Sequence, residues 1–338
     1  MTDNADVLKL KELLADAVKI VVVQADNPDT DSLASALALE QILEDQGKDV
    51  SLYCGVDIPS YLEYISGADR VSNELPKQFD LSIIVDTASN ALLEQLDKTG
   101  QKAWLAAKPS MVIDHHATAP TISFARLVIT RPAVATGEVL YELAKQLDWP
   151  LNTQSKELLA MAILSDSLGL TSEATTARSI HIIAELVEGG VALAQLESAR
   201  RESMRREAEL VHYKGRLLQR VEFLDNGRIA AITIPQDEID TYSPLYNPPM
   251  LVLDDMRLAK GTQIAVAFKV YKDGKVTAKI RCNFGIGIAD KLAEHFGGGG
   301  HPYAAGFKLQ DGRDFEALKQ EFIATASRLL DGVRNKSL

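Results

Sequence analysis

Apolar runs alternate with helical stripes along the first half of the chain. Ile20-Val21-Val22-Val23 is apolar throughout, as a strand covered on both faces must be. Leu81-Ser82-Ile83-Ile84-Val85 and Met111-Val112-Ile113 repeat that grammar, and Val50–Cys54 and Ala125–Ile129 read as further strands. Helical periodicity fills the intervals: Val7–Val18, Leu33–Leu43 with Gly47 as its stop, Ser89–Leu96, Thr136–Leu147, Ser155–Leu164, and Thr176–Glu188 ended by Gly189-Gly190. Such alternation predicts βαβ units and a parallel sheet.

The texture changes in the second half. Gln195–Gln219 is charge-rich, with Arg200-Arg201 and Arg205-Arg206 set among glutamates, and predicts one solvated helix linking two domains. Short strands follow at Ile229–Ile234, Gln263–Tyr271 and Lys275–Arg281, with Lys272-Asp273-Gly274 as a hairpin turn. Ile286–Phe296 is helical, Phe307–Leu309 is a short strand, and Phe315–Leu330 is a closing helix. The pattern thus predicts an α/β protein of two domains. A larger parallel-sheet domain with helices on both faces (1–192) is joined by a helical linker (193–222) to a smaller α/β domain (223–338).

Composition narrows the function. The 338 residues are 46% hydrophobic and 25% charged, with a formal net charge of -11. That balance argues against coating a long nucleic-acid duplex, but leaves room for a pocket taking a short phosphorylated substrate. No apolar run approaches the roughly 20 residues of a membrane span. The polar N-terminus is not expected to act as a signal peptide. Cys54 and Cys282 are the only cysteines, so a reducing cytoplasm is expected. A homodimer is possible.

The candidate chemistry lies where predicted strands end. Asn27-Pro28-Asp29-Thr30-Asp31-Ser32 follows the first strand, Asp86 the 81–85 strand, and Asp114-His115-His116 the 111–113 strand. Asp166 closes the 155–164 helix. The carboxyl ends of strands in parallel sheets line the ligand crevice, so these groups could converge. Hard divalent cations take oxygen ligands, and manganese also tolerates imidazole. Asp29, Asp31 and Asp166 could equally cap helices and turns; Asp-His-His at a strand end has little structural purpose. In the second half, Gly297–Gly300 could turn successive N–H groups into a nest for phosphate, with His301 as a donor, or could be a slack surface loop. The small residues Ala304-Ala305-Gly306 favour tight packing. Arg281 is a second phosphate candidate or an ordinary strand end.

Taken in order, the opening motif, Asp86, Asp114-His115-His116, Ile163–Ser167 and the Gly298–Gly306 segment resemble the DHH phosphoesterase superfamily over nearly the whole chain. The nearest subgroup holds oligoribonucleases (nanoRNases), pAp phosphatases and cyclic-di-AMP or pApA phosphodiesterases. The resemblance implies two manganese ions: Asp86 bridging, Asp29 on one, and Asp31, His115 and Asp166 on the other. It implies His116 at the scissile phosphate, Asp114 supporting the histidines, and Arg281, Gly298, Gly299, Gly300 and His301 holding the substrate's phosphate. The implied activity is hydrolysis of pApA and oligoribonucleotides of two to five residues by in-line attack of water. Hydrolysis of pAp, or of pyrophosphate-type substrates, is the alternative. In one place the chain departs from the pattern: Ala25 stands where the family usually has a metal-binding histidine. That weakens the first metal site unless Gln24, Asp26 or water substitutes, and opens the reading of a nucleotide-binding protein without turnover.

Overall fold

A computed structural model describes residues 4–116 and 119–334. The chain divides into two compact units, Met1–Arg205 and Arg206–Leu338. The first has strands β1 (Lys19–Gln24), β2 (Asp49–Cys54), β3 (Val71–Ser72), β4 (Leu81–Val85), β5 (Ser110–Asp114) and β6 (Leu127–Thr130). Its helices are α1 (Asn4–Ala15), α2 (Thr30–Glu44), α3 (Glu94–Lys98), α4 (Lys102–Ala106), α5 (Thr136–Gln146), α6 (Thr153–Asp166), α7 (Ala177–Glu188) and α8 (Leu193–Ser203).

All pairings in this sheet are parallel, in the order β3-β2-β1-β4-β5-β6. The side-chain period of two sorts each apolar strand onto two cores. Ile20 and Val22 of β1, with Ile83 and Val85 of β4, pack against α1, α2, α5, α6 and α7. Val21 and Val23, with Ile84 of β4 and Val112 of β5, pack against Leu93, Leu96 and Leu105 on the α3–α4 side. The connection reverses direction between the neighbours β1 and β4. A crevice opens at the carboxyl ends of strands at such a switch point.

The second unit contains α9 (Ala208–Gln219), β7 (Glu222–Leu224), β8 (Ile229–Pro235), α10 (Gln236–Tyr242), α11 (Pro248–Arg257), β9 (Ile264–Val270), β10 (Val276–Cys282), α12 (Ala289–His295), β11 (Gly299–His301), β12 (Ala304–Leu309) and α13 (Phe315–Arg334). Its mixed sheet runs β11-β12-β10-β9-β8-β7; β8 and β9 are parallel and the other neighbours antiparallel. One face, with Val266 and Phe268, packs on α12 and α13, and the other, with Ala265 and Ala267, on α9 and α11.

The structure differs from expectation at the linker. The single helix expected over 195–219 is two helices, and residues 193–222 are shared between the units. Leu193 and Leu196 of α8 pack against the first unit's core, whereas α9 buries Leu210, Tyr213 and Leu217 in the second's. Two apolar stripes serve two different cores, and the polar segment Arg205-Arg206-Glu207 separates them. The solvated character of α8 holds: Glu197 accepts from Arg200 and Arg201. The short elements β3, α4, β7, α10, α11 and β11 are not foreseen by periodicity. Among the described residues, no single helix is long and apolar enough to cross a membrane.

Candidate functional site

The turn after β1 places two carboxylates by helix capping. Asp29 is the N-cap of α2: its Oδ1 accepts from Ser32 N at 2.9 Å, and its own N–H donates to Ser32 Oγ at 3.0 Å. Asp31, in the first turn, is wholly buried. Its Oδ2 accepts from Thr136 N at 2.7 Å; its Oδ1 accepts from Gly137 N at 3.1 Å and Ser35 Oγ at 3.0 Å. A carboxylate of α2 therefore caps the N-terminus of α5, where the helix dipole favours negative charge. Gly137 permits the approach of α6, because a Cβ there would stand 2.5 Å from Ala162 Cβ.

Asp86 leaves β4 in the left-handed region, φ 60°, where few non-glycine residues stand. The bend is held by Asp86 N donating to Ile113 O at 3.0 Å, and its Oδ1 accepts from Thr136 Oγ1 at 2.9 Å. From the end of β5, His115 turns Nδ1 toward Ala133 O at 3.1 Å. A carbonyl only accepts, so Nδ1 carries the hydrogen and the neutral ring keeps its lone pair on Nε2. That atom lies 3.5 Å from Asp86 Oδ1, 3.7 Å from Asp31 Oδ2 and 3.8 Å from Asp166 Oδ2, and is buried with no hydrogen-bond partner among the described residues.

His116 is oriented from behind. Its Nδ1 lies 2.7 Å from Asp114 Oδ1, and its N–H donates to the same oxygen at 3.2 Å. Burial alone would raise the Asp114 carboxyl, but the bonds to His116 and the imidazole charges outweigh it and hold it low. The same contact raises His116 against the opposing effect of burial. Burial, then the charge of neighbouring aspartates, pushes the others up: Asp31 to about 6, Asp166 to about 7, and Asp86 well above the carboxylate range. Crowded carboxylates around an unpartnered imidazole nitrogen suit a divalent cation. Asp86–His115–His116 and Asp31–His115–Asp166 each bring three ligand atoms within 4.8 Å of one another. Asp29 belongs to neither group; it is exposed, and its charge raises Asp31, Asp86 and Asp166.

In the second unit the glycine run is neither a slack loop nor an open nest. Gly297, at φ 74°, ends α12 with its N–H on Glu294 O, and Gly298 N donates to Ala293 O at 2.9 Å. The Gly298 N–H expected at phosphate is thus spent on the helix end. A Cβ on Gly298 would meet Gly306 O at 2.2 Å. Gly299, Gly300 and His301 form the edge strand β11, with one side of its backbone unpaired.

Register unites the two phosphate candidates. Ala304 of β12 stands opposite Arg281 on one side and His301 on the other. Directly opposed residues share a face, so Arg281 and His301 flank the small Ala304 across roughly 10 Å, two strand spacings. Lys269 and Lys279 lie on that face and were not singled out from sequence, although the alternation in Lys275–Arg281 carries the signal. Burial and then a neighbouring cation depress both amines, Lys279 acting on Lys269 and Arg281 on Lys279.

Residues 19–163 match the DHH family, N-terminal domain, and residues 251–329 match the DHHA1 domain. The chain belongs to the DHH phosphoesterase superfamily. It is 25% identical over 294 residues to the bifunctional oligoribonuclease and PAP phosphatase NrnA of Bacillus subtilis, spanning 86% of this chain and 89% of that one. It is 26% identical over 327 residues to the protein of the same description from Thermus thermophilus, spanning 92% and 87%. An exopolyphosphatase-related protein from Bacteroides fragilis shares the fold, with a TM-score of 0.83 over 97% of this chain and 98% of that one at 19% identity.

Within the DHH domain, the surroundings of Ala25 sort the substitutes for the histidine. Asp26 is turned away: Oδ2 accepts from Gln95 N at 2.8 Å, and Oδ1 lies 2.3 Å from where a Cβ on Gly55 would be. Gln24 is wholly buried with both amide atoms unpartnered. Strand alternation puts it on the sheet face of Ile20 and Val22, toward α2 and α6. Sequence reading missed Thr136, which holds Asp86 and Asp31 together; its only signal was a Thr-Gly pair opening a helix.

Proposed function

We propose that this DHH phosphoesterase is a manganese-dependent phosphodiesterase of very short nucleotides, pApA and oligoribonucleotides of two to five residues, releasing nucleoside monophosphates. The observation carrying it is His115 Nε2, buried and unpartnered among Asp31, Asp86 and Asp166. Asp31, Asp86, His115 and Asp166 would hold the cations, with Asp29 at the rim. Mixed carboxylate and imidazole donors favour manganese over magnesium or calcium. When bound, such ions supply positive charge at the phosphate and make water acidic enough to be a nucleophile near neutral pH.

The chain's own residues prepare the site. Ala133 O fixes the His115 tautomer, so that a lone pair faces the carboxylates. Thr136 fixes the Asp86 rotamer through Oδ1. Asp114 holds a proton on His116 Nδ1 and favours the cationic ring, suited to meeting a phosphate oxygen. Arg281 and His301, with the free edge of Gly299 and Gly300, are assigned to a further phosphate of the substrate. Hydrolysis of pAp is proposed as a second activity, because the Bacillus and Thermus relatives are described with both.

The test is a turnover panel of pApA, pAp, pyrophosphate and labelled 2- to 5-mers under manganese titration. Cleavage of pApA and the short RNAs, lost by roughly 10²- to 10³-fold in Asp86→Ala, is expected, on the scale of removing one electrostatic stabiliser. Equal turnover by that variant, or binding without turnover at saturating manganese, would sink the reading; the second outcome would favour a nucleotide-binding protein disabled at Ala25.

A further inference from the structure

Two aromatic rings in the DHHA1 domain stand outside its buried cores. Phe284 is 77% exposed and Tyr303 is 42% exposed. Single exposed aromatics are ordinary, but these two are arranged. Their planes are 11° from parallel and their centroids 6.5 Å apart. That is near the far end of the range for rings that stack on each other. A third planar ring between two others needs two contacts of about 3.5 Å, or about 7 Å in all, so these rings have to part slightly to admit one.

Both rings stand on fixed turns. Phe284 follows Asn283, whose Nδ2 donates to Arg257 O at 2.9 Å and Thr262 O at 2.8 Å, and whose N–H donates to Gln263 O at 2.9 Å. Tyr303 lies in the turn between β11 and β12: its carbonyl accepts from Cys282 N at 3.0 Å, and Pro302 O accepts from Ala289 N at 2.8 Å. Gly287 lets this turn pack closely, since a Cβ there would stand 3.1 Å from Pro302 Cβ and touch the Tyr303 ring at 3.5 Å. Rings carried on turns held in this way need little backbone reordering on binding.

Their position adds a direction. The end of β10, the end of β11 and the start of β12 lie together at one end of these neighbouring strands, and Arg281 and His301 lie there, three and two residues from the rings. Cations that suit phosphate beside parallel aromatic faces are the elements of single-stranded nucleotide recognition.

We propose that Phe284 and Tyr303 clamp a nucleobase between them while Arg281 and His301 take the attached phosphate. This deepens the function proposed above and rests on it for the substrate class. The clamp makes the site prefer nucleotides over other phosphate esters, and it tolerates different bases because each has a π-face.

The test compares AMP with ribose 5-phosphate, which keeps the sugar and phosphate but lacks the base, by calorimetry on the full chain. Phe284→Ala and Tyr303→Ala should each weaken AMP by roughly 5- to 150-fold, the range for base–aromatic stacking, and leave ribose 5-phosphate affinity as it is. Phe284→Trp and Tyr303→Phe should keep AMP affinity. In turnover of pApA the alanine variants should raise KM with little change in kcat. The clamp is overturned if AMP and ribose 5-phosphate weaken equally, if Tyr303→Phe loses as much as Tyr303→Ala, or if the unmodified chain does not distinguish the two ligands. It is also overturned if Phe284→Ala dissolves a dimer without touching AMP affinity, which would assign the rings to a second copy of the chain. Should Tyr303→Ala fail to fold, the exposed Phe284 carries the test alone. A chain that binds AMP through these rings yet cleaves none of the short nucleotides would refute the proposed reaction and leave the clamp standing.

Discussion

Thr136 Oγ1 donates to Asp86 Oδ1 at 2.9 Å, joining the first turn of α5 to the end of β4. The Thr136 N–H donates to Asp31, so one residue holds two carboxylates that repel each other. Thr136→Val keeps the shape and the backbone bond but leaves Asp86 free to rotate. Manganese affinity is expected to fall by about 10- to 100-fold, as for other groups that orient metal ligands. The check is a manganese titration of the variant; unchanged affinity would show that Asp86 is positioned by packing alone.

The raised carboxyls of Asp31, Asp86 and Asp166 set a pH dependence of opposite sign to that of salt-bridged acids. Their folded-state values lie above the unfolded value of about 3.9, so the folded chain binds more protons between those limits. Their contribution to stability is present below about pH 4 and is lost as pH rises toward 6 to 7. In chelator, the melting temperature should therefore decline across that window relative to the manganese-loaded protein, and the gap should widen. Cation binding should release more protons at pH 6 than at pH 8, measured by calorimetry in buffers of different ionisation enthalpy. Asp86→Asn should raise the chelator-treated protein's stability by about 0.5–2 kcal/mol while abolishing turnover, as functional carboxylates are stability liabilities. A gap that is constant with pH would contradict this account.

Ala25 is buried, and its carbonyl accepts from Cys54 Sγ at 3.3 Å, so the position is ordered and lacks only a ligand. Ala25→His should tighten manganese binding by on the order of tenfold, about 1.4 kcal/mol. Gln24→Leu tests the neighbour. It removes one buried amide whose two polar atoms have no partner, which should stabilise the metal-free fold by about 1–3 kcal/mol, and it should weaken manganese binding. Stabilisation with no change in manganese affinity would remove Gln24 from the site.

Gly298 distinguishes close packing from a slack loop. With Gly306 O at 2.2 Å from the place of a Cβ, Gly298→Ala should cost about 1–3 kcal/mol in a denaturant titration, the scale of an overpacked site. Gly299→Ala meets nothing within 4 Å and should be nearly silent. Equal, small effects at both positions would restore the loop reading.

Much of this was legible in the chain itself, where the information is local. Ile20–Val23, Leu81–Val85 and Met111–Ile113 are apolar at every position or nearly so, and only a strand buried on both faces requires that. The acidic and imidazole residues directly after them were therefore readable as strand-end groups. Local periodicity was misleading where two cores compete for one polar segment, as at Met204–Glu207, and silent for elements too short for a period, such as β11.

By itself the sequence determined the order of the longer strands and most of the longer helices, the two-domain character, and the identity of the groups at the strand ends. Only the tertiary structure decided that these groups meet, because the order β2-β1-β4-β5 depends on pairings between distant segments that no local pattern encodes. It alone decided that His115 offers Nε2, through a bond to Ala133, and that Thr136 ties Asp86 to Asp31. It also divided the glycine run between a helix end and an edge strand, because steric contact with Gly306, not chain flexibility, dictates the absence of a side chain at Gly298.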